Sequence, residues 1–430
     1  MVWVFLVTLF ALVAIGMPVA FTLGISGLIL ASLQNISYSI AVQRAIAGMN
    51  SFPLLAIPFY LLLGEVMNQG SLAKRLVRMA NALIGWIPGG LGQAAVLASM
   101  FMGGISGSAV ADSSAIGGLL IGPMSEQGYS KHRAGGLVGT ASVLGIIIPP
   151  SIPFVLFGIS TGTSIARMFL GGFIPGVILG LMLMVVVYFQ WKKGGTGTAT
   201  VKFSPRELWG AFQESWSALI IPVIVVGGIL GGVFTATEAG AAATAVALCL
   251  SLIFFRDITL KTLGKIFLVS ARTTAMVLFL VATASVTAWL LTTARVPDNI
   301  LALLLSISQN PTVVLLLIHG FLLIVGCVMD LTPALLILAP ILLPIAVKLG
   351  FDPVFFGVTM CINLGIGLVT PPVGTILYIM AGITKEPLDR LIPSFVPYII
   401  VMVIGLVLLL LFPPLTTFLP GLFLGRAGLR

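Results

Sequence analysis

Residues 326–375, GCVMDLTPALLILAPILLPIAVKLGFDPVFFGVTMCINLGIGLVTPPVGT, echo a stretch that lies 222 positions upstream. Gly104 answers Gly326, Gly145 answers Gly367, Pro149-Pro150 answer Pro371-Pro372, and Pro175 answers Pro397. In each copy a glycine-bearing apolar segment is interrupted by small polar residues, GISGSAVADSS at 104–114 and GCVMDLTP at 326–333, and then resumes. A second apolar segment follows and is broken at its middle by the proline pair. The chain therefore reads as two related halves, with everything else supporting these interrupted units.

Composition says where such a chain lives. Of 430 residues, 59% are hydrophobic and 8% charged, and the mean hydropathy is +1.20, which excludes an ordinary water-soluble domain. Glycine (49) and proline (25) are both abundant, as helices in lipid tolerate when neighbours re-satisfy freed backbone groups. Cys249, Cys327 and Cys361 lie in apolar runs without metal-ligand spacing, so they read as packing residues. The first apolar run lacks a basic leader and a second follows it directly, so no cleavable signal peptide is expected. The net charge of +9 is read as orientation charge and not as a nucleic-acid footprint.

The expected fold is an all-α polytopic membrane protein built from two inverted-topology repeats. The first repeat covers 1–191, with crossings at 2–15, 18–33 and 50–67, a surface helix at 71–85 and a re-entrant hairpin at about 88–128. A proline-broken helix at about 134–163 and a crossing at 168–191 complete it. A polar cytoplasmic linker is expected at 192–217. The second repeat, 218–413, has crossings near 218–236, 238–255 and 271–293, a surface helix near 298–309 and a hairpin at 311–350. A broken helix at 353–383 and a crossing at 391–413 follow, and 414–430 form the tail. Five crossings per copy is an odd number, so the second copy enters the membrane upside down. With the N-terminus outside, 15 of the 21 Lys and Arg residues fall on the inner side and 6 on the outer, in keeping with the positive-inside rule. Both termini are thereby expected on the periplasmic side, the first hairpin on the cytoplasmic side and the second on the outer side.

Inverted repeats with interrupted helices are the layout of secondary transporters, whose sites lie where the copies meet. Unwound backbone offers carbonyl oxygens to a small hard cation such as Na⁺, and half-helix N-termini favour an anion. The candidates in the first copy are Ser106, Gly107, Ser108, Asp112 and Ser113 at the hairpin tip, with Gly145, Pro149 and Pro150 at the break. In the second they are Asp330, Thr332 and Pro333, then Asn363, Gly367, Thr370, Pro371, Pro372, Gly374 and Thr375. Substrate contact is assigned to Ser106, Ser108, Asp112, Pro150, Asp330, Thr332, Pro372 and Thr375.

Plainer readings stand beside these. Membrane Ser and Thr often bond their own backbone, and glycines often serve close helix packing. A carboxylate at the bilayer centre costs ~2.5–3.5 kcal/mol, so Asp112 and Asp330 call for a partner or a task, although Asp112 could also be a helix N-cap. Glu238 suits helix capping, Glu65 a basic partner, and Arg167 and Asp389-Arg390 interface anchoring; His132 sits in a basic loop and His319 reads as a packed residue. The GISG at 104–107 matches the short pattern around the nucleophile of intramembrane serine proteases, a chemistry that needs a histidine beside Ser106. No HExxH, Walker A or dinucleotide fingerprint occurs.

GMPVAFTLG at 16–24, GGISGSAVADSSAIG at 103–117, GIIIPPSIPFVLFG at 145–158, GGVFTATEAGA at 231–241 and GLVTPPVGTILYI at 367–379 together carry a resemblance. Over nearly its whole length the chain resembles the large membrane subunit of tripartite ATP-independent periplasmic (TRAP) transporters. The resemblance implies no enzyme activity but an elevator-type, Na⁺-coupled import of a small organic acid, such as a C4-dicarboxylate or sialic acid, across the bacterial inner membrane. It implies two partners: a separate small membrane subunit and a soluble periplasmic binding protein that delivers the substrate. It also implies Na⁺ positions at Ser106, Gly107, Ser108, Gly145, Pro149, Gly367, Thr370 and Pro371. A Na⁺-independent carrier or a channel is the alternative from another class, with the protease third.

Overall fold

The structure is a computed structural model and describes residues 2–194 and 202–425. The described residues are almost entirely helical. Helices α1 (Val2–Ala14) and α2 (Val19–Leu33) fold back on each other through a turn at Gly16, whose φ of +84° suits a residue without Cβ. Helix α3 (Tyr38–Met49) starts on Ser37, which accepts the Ser39 N–H. Asn50-Ser51 breaks the chain, and a 3₁₀ turn at Phe52–Leu55 opens α4 (Ala56–Gln69).

Next comes α5 (Leu72–Ile84), amphipathic as expected, and then α6 (Gly90–Ser106) and α7 (Ala109–Glu126), which form a helical hairpin. Helix α8 (Lys131–Ala141) tightens into a 3₁₀ turn at Ser142–Ile146 before the proline pair, and α9 (Ile152–Thr161) resumes beyond it. The half closes with α10 (Ile165–Lys192).

The second half runs from α11 (Pro205–Pro222) through a π turn into the short α12 (Gly228–Leu230), then α13 (Ala236–Cys249) and the 34-residue α14 (Leu260–Thr293). The hairpin pair α16 (Pro311–Val328) and α17 (Leu331–Lys348) follows the short α15 (Val296–Ile307). The broken helix is α18 (Pro353–Gly367) with α19 (Thr375–Thr384), and α20 (Leu388–Leu411) and α21 (Pro414–Leu424) end the chain. Helix α17 begins and ends 222 residues after α7, and α18 begins 222 residues after α8. Both proline-pair bonds, Pro149-Pro150 and Pro371-Pro372, are cis.

Three segments differ from the expectation, each for a local reason. Residues 192–217, expected as a polar linker, are helical from Pro205: Ser204 accepts the Glu207 N–H, proline occupies the first turn, and Ala211, Ser215 and Ala218 form a buried stripe. Residues 195–201 of that expected linker lie outside the described residues. The expected crossing at 271–293 is the second part of continuous α14. Its first-copy counterpart breaks at Asn50-Ser51-Phe52-Pro53, whereas the matching Arg272-Thr273-Thr274-Ala275 has no proline to stop the helix. The tail opens as helix α21, whose terminal carbonyls at Leu424 and Gly425 accept hydrogen bonds from Arg167 at 2.9 and 3.0 Å.

Among the described residues eight helices are long and apolar enough to cross a bilayer; α1 and α2, expected as crossings, are not among them at 13 and 15 residues, whereas both arms of the second hairpin, α16 and α17, are. The hairpin arms α6 and the half-helices α8, α9, α18 and α19 are shorter than a crossing, as broken elements must be. The second arm of each hairpin packs on the other copy's half-helix: α7 lies against α19, and α17 against α9. Helix α5 is wedged between α6 and α11, with Ser215 Oγ donating to the Arg75 carbonyl at 2.8 Å and the Arg75 guanidinium 3.7 Å from the Phe255 ring centroid.

Candidate transport site

The first hairpin turns at Gly107-Ser108. Gly107 ends α6 at φ +63°, and Ser108 starts α7 by accepting the Ala111 N–H at 3.3 Å. The tip is pressed onto the proline break: the Ile152 N–H donates to the Gly107 carbonyl at 3.3 Å, and a Cβ at Gly107 would lie 2.9 Å from the Pro150 oxygen. Ser151 caps α9 and donates to the Ile146 carbonyl at 2.6 Å, which holds the turn around the proline pair. One turn into α7, Asp112 is fully buried. Its Oδ1 accepts from Ser106 Oγ, whereas Oδ2 has no hydrogen-bond partner among the described residues.

Glycines make this closeness possible. A Cβ at Gly103 would stand 2.8 Å from the Gly145 Cα, and one at Gly145 would collide with Asp112 Oδ2. Ser106, Gly107, Asp112, Gly145, Pro149 and Pro150 are thus gathered into one buried cluster with the half-buried Ser108 at its edge, and the Pro149 carbonyl lies 3.6 Å from where a Gly104 Cβ would be. Ser113 and Ser114 both donate to the Val110 carbonyl and are occupied with their own helix.

The second tip is built alike but sits open. Gly326 and Gly367 touch backbone to backbone, so that a Cβ at Gly367 would strike the Gly326 carbonyl. The Val373 N–H donates to the Cys327 carbonyl at 3.1 Å, tying tip to break. Asp330 precedes α17, Thr332 lies in that helix's first turn, and Thr375 Oγ1 donates to Asp330 Oδ1 at 3.5 Å. Asp330, Pro372 and Val373 are exposed, whereas Asp112, Pro149 and Pro150 are buried. Thr370 donates to its own helix at the Ile366 carbonyl, 2.7 Å away. Asn363 is drawn away from the tip: its amide donates to the His319 carbonyl at 2.8 Å and approaches His319 Nδ1 at 3.0 Å. His319 is the packed residue expected, edge-on to Phe356.

No histidine reaches Ser106. The His132 ring bonds Ser130 Oγ at 3.2 Å and His319 is held by Thr359 and Asn363, while Ser106 Oγ is committed to Asp112. The geometry of a serine nucleophile and base is therefore missing among the described residues.

Sequence reading did not anticipate the wall that faces the first tip. A cavity of about 450 Å³ opens between Ser106, Ser108 and Ser114 of the hairpin and Glu65, Asn68 and Gln69 of α4, with Ser270 and Thr273 of α14 across it. Its signal in the sequence was a polar run, Glu65 with Asn68 and Gln69, ending an otherwise apolar helix.

The described residues hold no cluster of His, Cys, Asp and Glu suited to a transition metal. Two glycine-lined helix breaks, each closed by a hairpin tip, fit small-solute transport far better than hydrolysis. Comparison with known proteins agrees. The family model of the tripartite ATP-independent periplasmic transporter, DctM component, matches residues 6–415. The 2,3-diketo-L-gulonate TRAP transporter large permease protein YiaN of Escherichia coli is 41% identical over 96% of this chain and 97% of its own length. The C4-dicarboxylate TRAP transporter large permease protein DctM of Pseudomonas aeruginosa is 39% identical over 86% of each chain. In fold, the chain is similar to the Alcanivorax borkumensis YdaH transporter, with a TM-score of 0.62 and 16% identity over 86% of both chains. The chain belongs to the DctM family, the large permease component of tripartite ATP-independent periplasmic transporters.

Proposed function

We propose that this chain carries a small organic acid across the bacterial inner membrane by Na⁺ symport, receiving it from a periplasmic binding protein and working beside a small membrane subunit. The observation that carries the Na⁺ assignment is Asp112: a fully buried carboxylate with one oxygen unpartnered, set against the bare backbone of Gly145. A buried carboxylate oxygen without a donor is costly unless a cation neutralises it, and oxygen-only surroundings of unwound backbone suit a hard cation. Ser106, Gly107, Ser108, Gly145 and Pro149 supply those surroundings in the first copy, and Gly367, Thr370 and Pro371 are the equivalent set in the second.

In this reading the tips and broken helices move as one body against the helices that flank them, and the two copies are inverted with both termini outside. The crossed packing of α7 on α19 and α17 on α9 supports it, because it locks both tips into one unit. Helices α5 and α15 would then be the arms joining that unit to the rest.

The test is uptake of labelled organic acids into proteoliposomes holding this chain with its small subunit. The binding protein and an inward Na⁺ gradient are supplied separately and together. Uptake that needs both supports the proposal. Uptake indifferent to both replaces it with a Na⁺-independent carrier or channel.

A further inference from the structure

A cavity of about 450 Å³, separate from both tips, lies where the start of α8, the end of α10 and the start of α20 meet. Arg133 of α8, Lys193 at the C-cap of α10 and Arg390 of α20 line it together with His132, and no aspartate or glutamate is in its wall among the described residues. Lys193 has no ion pair among the described residues, and Arg390 has one loose pair, with Glu386 at 3.7 Å. The cations of α5 are placed differently. Arg78 pairs with Glu214, and Arg75 donates to the Glu214 carbonyl and lies over Phe255.

Like charges gathered around one hollow repel, and an anion seated between them removes that cost. The N-terminus of α8 and the C-terminus of α10 meet here with opposed partial charges, so the side chains set the sign. Tyr398 donates to Gln190 Oε1 at 2.7 Å, which occupies that amide's acceptor and leaves its NH₂ as a further donor in the wall. Two guanidinium forks, an ammonium and an amide donor match the oxygens of a phosphate.

Two observations make that phosphate a lipid headgroup. Helices α10 and α20 are each long and apolar enough to span, and the cavity lies where one ends and the other begins, which is the membrane surface. From there toward the bilayer, the stripes continuing the cavity wall are apolar and more than half exposed: Phe189 and Val185 one and two turns before Lys193, and Ile400 and Ile404 beyond Pro397. We infer that this cavity binds the phosphate of an anionic phospholipid, a phosphatidylglycerol, with its acyl chains along those stripes. A choline headgroup is disfavoured, because its quaternary ammonium would join three cations.

The experiment titrates dioleoylphosphatidylglycerol, dioleoylphosphatidylcholine or glycerol 3-phosphate into the purified full chain in detergent and follows thermal stability. Each protein is read against its own melting temperature without additive. Phosphatidylglycerol is expected to raise the melting temperature, and the other two to leave it unchanged. The double variant Lys193→Gln/Arg390→Gln is expected to need about 10- to 30-fold more phosphatidylglycerol for the same response. Lys261→Gln/Lys265→Gln removes two exposed lysines of α14 that do not line the cavity, and should respond like the wild type. Equal stabilisation by phosphatidylcholine, or an unchanged response in the Lys193/Arg390 variant, overturns the inference. So does equal weakening in the α14 variant, which would mean general surface charge. Stabilisation by glycerol 3-phosphate matching that by the lipid would make this a site for a soluble phosphate and overturn the lipid assignment.

Discussion

Asp112 gives one carboxylate oxygen to Ser106 and turns the other, unpartnered, toward the backbone of Gly145 on a different helix. That contact is one of several that join the hairpin tip to the proline-broken helix, and it exists only because position 145 has no side chain. Every other feature of the first tip serves it. Ser108 caps α7 so that Asp112 falls in the first turn, and Gly107 lets the chain reverse closely enough for Ser106 to reach back. A carboxylate buried this way in a membrane protein needs a compensating charge, which is why the pair Asp112 and Gly145 governs the first prediction.

Asp112→Asn keeps the shape and the Ser106 contact but removes the charge. The expected outcome is loss of Na⁺-dependent thermal stabilisation and at least a tenfold rise in the Na⁺ concentration needed for uptake, with the fold retained. Melting curves across a Na⁺ series decide the matter. An unchanged Na⁺ response in the variant would place the coupling ion elsewhere.

Gly145→Ala should be worse than its small size suggests. The added methyl would run into Asp112 Oδ2, a side chain that Ser106 holds in place, and position 145 cannot back away toward α6 because Gly103 already packs at the Gly145 Cα. Overpacking of this kind costs about 1–3 kcal/mol. A fall in melting temperature with transport abolished is expected, and wild-type stability in Gly145→Ala would contradict the close approach.

Much of this arrangement was legible in the residues. The 222-residue echo located both tips and both breaks, because glycine at a close approach and proline in a helix interior have few substitutes. Small polar residues mid-segment marked the tips for the same reason. What the echo could not convey was how the copies diverge between the landmarks. Asn50-Ser51-Phe52-Pro53 stops a helix and Arg272-Thr273-Thr274-Ala275 does not, so α14 absorbs two elements of its partner. Asn363, named for its place beside a break, is bound to His319, a contact set by tertiary packing with no local signal. The Asn68 and Ser270 wall also lay outside the motifs, since its polar residues sit on α4 and α14, far apart in sequence, until folding brings them opposite the tip.

Thr235 and Glu238 form a capping box at the start of α13: Thr235 Oγ1 accepts the Glu238 N–H at 3.3 Å, and Glu238 Oε2 accepts the Thr235 N–H at 2.8 Å. Thr235→Ala should therefore destabilise by about 1 kcal/mol without changing Na⁺ dependence. Melting temperature and the Na⁺ response, measured together, separate this capping role from one in transport.

The pair Lys348 and Asp298 joins the end of hairpin arm α17 to α15 at 2.5 Å, on a half-exposed surface. The Lys348 hydrogen bond and charge hold the Asp298 carboxyl below its ordinary value. A depressed carboxyl stabilises the folded state above its unfolded-state pKa and ceases to do so as pH falls through the lowered folded value. Asp298→Asn should thus lose a little stability at neutral pH and none at strongly acid pH, and salt should shrink the difference because the pair is exposed. Melting curves of both proteins at neutral and acid pH, each at low and high salt, test this. A wild-type advantage that persisted in acid would mean that Asp298 acts through packing and not through its charge.

The two glycine contacts at the second tip are unequal, and that inequality is measurable. A Cβ on Gly326 would stand 3.3 Å from the Gly367 Cα, a tight approach that a small shift relieves, whereas one on Gly367 would drive into the Gly326 carbonyl, which is rigid helix backbone. Gly326→Ala should cost little, partly offset because alanine favours the helix over glycine by about 1 kcal/mol. Gly367→Ala should separate α16 from α18, lowering the melting temperature clearly and impairing uptake. If the two variants melted alike, the tip would be packed more loosely than these distances require, and the equivalence between Gly145 and Gly367 would be one of sequence position only.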